Sequence, residues 1–349
     1  MAENNRVYKK IRVEDAVGLS LAHDITEIRK DEFKGVAFPR GYTVKEKDIC
    51  HLMKLGKRHL YILDLDETKV HEDQAVLEIV KALAGDGVVF NTTPKEGKLE
   101  LLAAHDGLLK INVEALIEFN MNPDVMCASI HTNTPVKKGS KLAGTRAIPL
   151  VVDRSVLDQA IKIAQTHTPV FQVKPFKKAR ARLIVTGSEV FNGLIQDKFE
   201  PIVRKKMTAI GSELVESIVL PDDRKLIAKT LIDYLSKDTD LIITTGGMSV
   251  DPDDVTRFAI KDAGVDELFY SAAVLPGAMF QLAYKGIIPI VGIPACGLYH
   301  ETTVFDLVLP RLLAGEKPDN RDLARLAHGG LCLDCATCTF PACSFGKSF

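Results

Sequence analysis

From Arg182 onward, short apolar runs alternate with amphipathic ones, and no other feature restricts the fold of this chain so tightly. RLIVTG, ELVESIVL, DLIITTGG and IIPIVGIP read as strands. QDKFEPIVRKKMTAIG, DDRKLIAKTLIDYLSK, DDVTRFAIKDAG and the closing HETTVFDLVLPRLLAG read as helices. The second of these opens on two aspartates, where carboxylates favour the helix dipole. Strands that are apolar throughout need cover on both faces, and successive βα units supply it as a parallel sheet between helices. The expectation for 181–316 is therefore an α/β domain of three layers built on a parallel sheet.

The rest of the chain is less regular. Residues 1–70 hold short apolar runs broken by Gly35, Pro39 and Gly41, then the amphipathic stretch Lys45–Leu55 and the strand-like HLYIL at 59–63, together a small N-terminal module. Across 71–180 the pattern is α+β. A helix from 72 is stopped by Gly85 and Gly87, and further helical pieces lie at Val113–Phe119 and Ser155–His167. Strand-like runs between them turn at Gly97, Gly107, Gly139 and Gly144. Gly329-Gly330 then lead, as a mobile hinge, into a cysteine-rich tail at 329–349.

Charge and composition narrow the functional classes. Lys and Arg number 45 against 46 Asp and Glu, so no global field draws in nucleic acid or anionic lipid. The local cluster Lys174, Lys177, Lys178, Arg180 and Arg182 reads as a solvated linker ahead of a strand. The N-terminal MAENNRVYKKIRVEDAV lacks the apolar core of a secretory signal, and no run of about 18 apolar residues offers a membrane helix. Of seven cysteines, Cys50, Cys127 and Cys296 are scattered and four follow residue 331, unlike the spread of a disulfide scaffold. The expectation is a cytoplasmic protein without membrane or nucleic-acid partners.

In an open parallel sheet, ligands bind beyond the carboxyl ends of the strands. Three of those ends are unusual here: Thr186-Gly187-Ser188-Glu189, Thr244-Thr245-Gly246-Gly247-Met248-Ser249 with Asp251, Asp253 and Asp254 behind it, and Pro294-Ala295-Cys296-Gly297. Glycines let backbone approach a ligand, N–H groups at a helix start hold phosphate, and carboxylates hold Mg²⁺ beside it. Taken singly, Gly246-Gly247 is a tight turn, and Asp222 or Asp253-Asp254 a helix N-cap. The turns match neither a Walker A loop nor a GxGxxG fingerprint.

Over 182–315 these segments resemble the molybdopterin-binding domain shared by molybdopterin adenylyltransferase and molybdopterin molybdotransferase, also found in competence/damage-inducible proteins. TGSEVFNGLIQDKFEPIVRKKMTAIG is similar to the family's opening turn and helix, and VLPDDRKLI to its second segment. TTGGMSVDPDDVT joins a TGG-x-S-V run typical of the molybdotransferase to a D-V-T typical of the adenylyltransferase. LPGAM at 275–279 and GIPACGLYHETTVFDLVLPRLL resemble the two closing turns and last helix. VEDAVGLSLAHDIT in the first 65 residues also resembles the start of the molybdotransferase. The resemblance implies pterin contacts at Thr186, Gly187, Ser188, Glu189, Thr245, Gly246, Gly247, Ser249, Pro276, Gly277 and Pro294. It places the adenylyltransferase's functional aspartates on Asp222 and Asp254, where they would position Mg²⁺ and nucleotide phosphates. It further implies molybdopterin or its adenylylated form and molybdate or tungstate as partners, and assembly as a homo-oligomer. Two departures weigh against molybdate insertion: Ser188 stands where the molybdotransferase often has Asp, and the PGNP-type turn reads Pro294-Ala295-Cys296-Gly297.

The tail reads Cys332-LD-Cys335-AT-Cys338-TFPA-Cys343. Its spacing resembles a ferredoxin-like run, although bacterial ferredoxins close with x₃ and a following proline, whereas Pro341 precedes the last cysteine here. One [4Fe–4S] cluster is the first reading and Zn²⁺ the alternative, with redox thiols or disorder behind them. Three functions remain in competition. One is an enzyme that adenylylates the pterin or inserts metal, and another a non-catalytic pterin carrier that senses redox state or iron through the tail. The third is a dinucleotide pyrophosphatase of the competence-inducible type.

Overall fold

The computed structural model describes residues 8–29, 33–63, 68–95, 97–167, 169–248 and 254–347. Its buried apolar residues fall into four clusters, one near the N-terminus, one in the middle of the chain and two on opposite faces of the C-terminal sheet.

The first cluster gathers Val13, Leu21, Ile25, Phe38, Leu52 and Leu60 beneath two antiparallel strand pairs, Tyr8–Arg12 with His59–Leu63 and Ile25–Arg29 with Phe33–Phe38. The middle cluster lies between the helices Glu72–Leu83, Val113–Asn120 and Arg154–Thr166 and two antiparallel sheets. The larger sheet orders Val88–Phe90, Lys98–Ala103, Lys141–Ala147 and Val125–Ser129. Asn112 caps the second helix by accepting from Ala115 N at 3.2 Å, while the N-cap of the first is His71.

The C-terminal sheet has six strands in the order Glu213–Leu220, Arg180–Thr186, Leu241–Thr245, Ile288–Ile293, Gln281–Lys285 and Glu267–Tyr270. The first four pair in parallel, as their apolar character requires. Successive side chains of a strand point to opposite faces. Accordingly, Leu183, Val185 and Ile243 enter the core beneath the helices Phe199–Ala209 and Val304–Leu313. Ile184 and Ile242 enter the other core, beneath Arg224–Ser236 and Thr256–Asp262. The three layers expected from the sequence are present. The antiparallel hairpin of Gln281–Lys285 with Ile288–Ile293, and the edge strand beyond it, extend a sheet that the pattern read as wholly parallel. Gln281 and Tyr284 are both buried, but their polar groups interrupt the apolar run that marks Leu241–Thr245 and Ile288–Ile293.

Two local expectations are corrected. Arg182 is no solvated linker residue: it is 8% exposed, bonds Glu216, donates from Nε to Thr239 Oγ1 at 2.8 Å and lies over the Tyr234 ring. Nor are Gly329 and Gly330 a mobile hinge. A Cβ on Gly330 would stand 2.4 Å from Leu326 O and 2.5 Å from Ala273 O, so the turn is packed against the domain. The tail continues along it, with Leu331 bridged to Leu275 and Phe345 buried among Val274, Phe305 and Val308.

The middle region is tied to the α/β domain through Glu316. Its carboxylate accepts from Lys110 Nζ at 2.7 Å and Arg311 Nε at 2.8 Å, and Lys174 lies at 3.5 Å. Burial alone would raise the Glu316 pKa, but hydrogen bonds from Lys110 and Arg311 outweigh it and hold the carboxyl below its ordinary value. Burial draws Lys110 the other way, towards losing its proton, so the two ends of that pair pull in opposite senses. Arg311, bound also to Asp322 at 2.9 Å, secures the charge on Glu316. A carboxyl with a depressed folded pKa stabilises above the ordinary glutamate range and loses that contribution as pH falls through the folded value. Glu316→Gln is therefore expected to cost about 3 kcal/mol at neutral pH, the scale of a buried pair that loses one partner. The variant and the parent should converge in stability as pH is lowered through the folded pKa, and denaturant unfolding followed from pH 7 downward through the carboxylate range and below it reads both effects.

Candidate functional site

The strand Leu241–Thr245 ends in Gly246 and Gly247, at φ +81° and +58°, values that favour glycine. A Cβ at Gly246 would stand 2.2 Å from the Thr186 carbonyl oxygen, and one at Gly247 would stand 2.4 Å from Thr256 Oγ1. Thr186 and Thr256 form the floor of this turn. Thr186 Oγ1 donates to Thr245 O at 3.1 Å and shares a 2.9 Å contact with Thr256 Oγ1, and all three threonines are buried. Thr186 and Thr245 thus hold the glycine turn from below.

Beside this turn lie the backbone of Leu275 to Met279 and the turn Pro294-Ala295-Cys296. Gly277 sits against the start of the last helix of the sheet's outer layer, with a notional Cβ 2.4 Å from Val304 Cγ1. Together these segments enclose an open cleft of about 650 Å³ at the carboxyl edge of the parallel strands. Of the residues expected from the sequence, Gly246, Gly247, Pro276, Gly277, Pro294 and Asp254 share its lining. Thr186, Gly187, Ser188, Glu189, Thr245 and Asp222 do not, and Ser249, with Asp251 and Asp253, lies outside the described residues.

The two candidate aspartates have different surroundings. Asp222 Oδ2 accepts from Ser188 N at 2.8 Å and from Ser188 Oγ at 2.9 Å, joining two neighbouring strand ends. The helix cap is its neighbour: Asp223 Oδ1 accepts from Lys225 N at 2.8 Å and Leu226 N at 3.0 Å. Asp254 is not a cap either, because the helix Thr256–Asp262 has Val255 at its N-cap; its half-buried side chain lines the cleft.

The apolar walls come from residues that local pattern did not single out. Met248, 2% exposed, lines the cleft together with Leu275 and Met279. The thiol of Cys296 lines the cleft as well, and burial pushes its pKa up, towards the protonated form. The remaining wall is formed by the tail. Leu331, Cys332 and Asp334 border the cleft together with His300, whose Nδ1 lies 3.4 Å from Asp334 Oδ1. Two backbone hydrogen bonds of 2.8 Å fix this wall, Leu275 N to Gly330 O and Cys332 N to Leu275 O. A pocket of this volume, mostly apolar with a few polar groups, suits a flat heterocycle with a polar edge.

The four tail cysteines border a second cavity, of about 420 Å³, that abuts the first. None of the chain's cysteines is in a disulfide. Among the described residues, no three His, Cys, Asp or Glu side chains are gathered in the geometry of a metal site. The thiols line a space rather than meeting at a point. No helix among the described residues is long and apolar enough to cross a membrane.

Residues 182–314 match a family model described as "Probable molybdopterin binding domain", and residues 10–64 match one described as a domain of unknown function. The chain is 36% identical over 89 residues to a CinA-like protein of Thermosipho melanesiensis, a match covering 26% of this chain and 22% of that protein. It is 25% identical over 177 residues to the molybdopterin molybdenumtransferase of Haemophilus influenzae, covering 46% of this chain and 43% of that protein. A solved structure of the molybdopterin biosynthesis enzyme MoaB from Thermus thermophilus aligns at 21% identity with a TM-score of 0.34, covering 40% of this chain and 98% of that one. The chain thus spans less than half the length of these two curated relatives. The α/β domain over 182–314 thus belongs to the family described as a probable molybdopterin binding domain.

Proposed function

We propose that this chain holds molybdopterin, free or adenylylated, in the cleft of its α/β domain, as a carrier in the building of the molybdenum or tungsten cofactor. One observation carries the reading: glycine turns at Gly246-Gly247 and Gly277 expose backbone beside Met248, Met279 and Leu331, with Asp254 at the polar edge. A pterin ring needs an apolar slot, and its polar edge and phosphate need backbone donors or a cation. The described lining holds Asp254 and Asp334 but neither Lys nor Arg, so Mg²⁺ at Asp254 would supply the charge that an anionic group requires. Seven unpaired thiols fit a reducing compartment such as the cytoplasm. The four tail thiols are the donor type that a [4Fe–4S] cluster or Zn²⁺ takes, but among the described residues they line a space without converging, so no metal group is assigned to them.

Holding is favoured over transfer because Asp222 is committed to Ser188 and is absent from the described lining, whereas Asp254 is present. Adenylyl transfer by two carboxylates and Mg²⁺ needs both at the reacting phosphates. Incubating the purified chain with molybdopterin, MgATP and molybdate separates the readings. Tight binding with unchanged pterin is the expected result. Adenylylated product that disappears in Asp254→Ala would establish catalysis instead, and no retention of pterin in equilibrium dialysis would overturn the reading altogether.

The glycine turn gives a second check. Gly246→Ala forces a side chain against the Thr186 carbonyl in a left-handed backbone, which is expected to cost about 1–3 kcal/mol. A lowered unfolding midpoint and at least tenfold weaker pterin binding are predicted, whereas unchanged binding would mean that the turn does not touch the ligand.

A further inference from the structure

Four of the residues that line the pterin cleft carry sulfur: Met248, Met279, Cys296 and Cys332. They come from four separate segments: the glycine turn, the backbone of Leu275 to Met279, the turn after the strand Ile288–Ile293, and the tail. The buried cores on either face of the sheet are built differently, mainly from Leu, Ile, Val, Ala and Phe. The sulfur lining is therefore a property of the cleft and not of the domain's packing in general.

Three of the four are held by contacts of their own. Met248 occupies the space that Gly292 leaves open: a Cβ at Gly292 would stand 1.8 Å from Met248 Cε and 3.0 Å from its Sδ. The Met248 carbonyl accepts from Tyr270 Oη at 3.0 Å. The Cys296 carbonyl accepts from Tyr299 N and His300 N, each at 3.1 Å, which ties its turn to His300. Cys332 N donates to Leu275 O at 2.8 Å, and its side chain packs against the domain core. His300, Asp334 and Cys332 line both the cleft and the cavity that abuts it, whereas Asp254 lines the cleft alone. The cleft thus has a carboxylate region at Asp254 and a thiol region, at Cys296 and Cys332, beside that junction.

Molybdopterin carries a pair of thiolate sulfurs on its ring system, remote from the aminopyrimidinone edge. Such sulfur is large and polarisable, and thiol or thioether neighbours suit it better than hydroxyls. A protonated thiol also donates an S–H hydrogen bond to it. Burial raises the Cys296 pKa and favours the protonated form, so that thiol meets a thiolate as a donor and not as a like charge. Cys296 stands in the turn that departs from the family's PGNP-type sequence, and Cys332 lies in the tail beyond the matched residues 182–314. Both thiols are therefore features of this chain. We propose that Cys296 and Cys332, with Met279 beside them, recognise the thiolate pair of the ligand, so that the cleft selects a sulfur-bearing pterin over the same ring system without sulfur. The inference rests on the pterin reading of the cleft and adds which end of the ligand confers selectivity. Recognition is non-covalent, and both protein thiols stay reduced.

The test uses the full chain under anaerobic conditions, with molybdopterin and a sulfur-free pyranopterin phosphate as probes. The parent is expected to bind molybdopterin about tenfold or more tightly than the sulfur-free probe, the scale of a few sulfur contacts. Cys296→Ser and Cys332→Ser are each expected to cut that preference about threefold or more and to leave affinity for the sulfur-free probe unchanged, which a folding defect would not do. Met279→Leu conserves volume and touches no thiol, and it is expected to lower the preference in the same direction. Cys335→Ser changes an exposed thiol that borders only the second cavity, and it is expected to keep the parental preference. Should a cysteine variant not fold, the parent's preference and Met279→Leu decide. Equal affinity of the parent for the two probes overturns the inference and leaves the pterin reading intact, as does a preference that survives every substitution in the cleft. Binding of neither probe defeats the pterin reading, and the inference falls with it.

Discussion

Gly246 approaches the carbonyl of Thr186 so closely that no side chain fits between them, and the cleft is arranged around that contact. The approach is possible because the strands Arg180–Thr186 and Leu241–Thr245 pair in parallel, with Val185 opposite Thr245. Their apolar residues fill a core on each face, which leaves the strand ends as the place where backbone is exposed. The Thr186 and Thr256 hydroxyls pair with each other, and Thr186 Oγ1 donates to the Thr245 carbonyl, so a buried polar floor lies beneath the glycine turn. The Pro294 turn follows from the same sheet, since the strand Ile288–Ile293 pairs with Leu241–Thr245 on its other side.

The wall facing the glycines has a different origin. It comes from the tail, more than 80 residues further along the chain, paired to Leu275 through two backbone hydrogen bonds and held by Phe345 in the core and by Lys347 on Thr134. Two walls thus belong to the sheet, while one belongs to a segment that carries four of the chain's cysteines. The Glu316 cluster plays the corresponding part on the other side of the domain, binding Lys110 and Lys174 of the middle region to Arg311 on the helix Val304–Leu313.

How much of this was legible in the sequence follows from the range of the interactions. Leu183, Ile242 and Val291 stand in unbroken apolar runs, and for such strands burial on both faces leaves few alternatives to a parallel layer. The glycine turns were legible because the type of residue required at a left-handed position is itself the signal. The hairpin strand Gln281–Lys285 was not, since the buried amide of Gln281 mimics the polar alternation of an exposed segment. Asp222 and Asp223 are adjacent and chemically alike, and only the position of Ser188 across the strand end decides which one caps the helix. His300, Cys332 and Asp334 reach the cleft through pairing between Leu275 and Leu331, a contact with no local pattern on either side. The spacing of Cys332, Cys335, Cys338 and Cys343 read as a metal-binding run, but the thiols do not converge in the fold, and the place of Cys332 beside the cleft had no signal in the sequence.

Cocrystallisation of the chain with molybdopterin, followed by difference density, tests the central claim most directly. The account predicts density for the ring between Gly246-Gly247 and Leu331, with its polar edge towards Asp254. Density elsewhere, for example in the cavity between Arg40 and His71 where the N-terminal and middle regions meet, with an empty cleft at the strand ends, would contradict it.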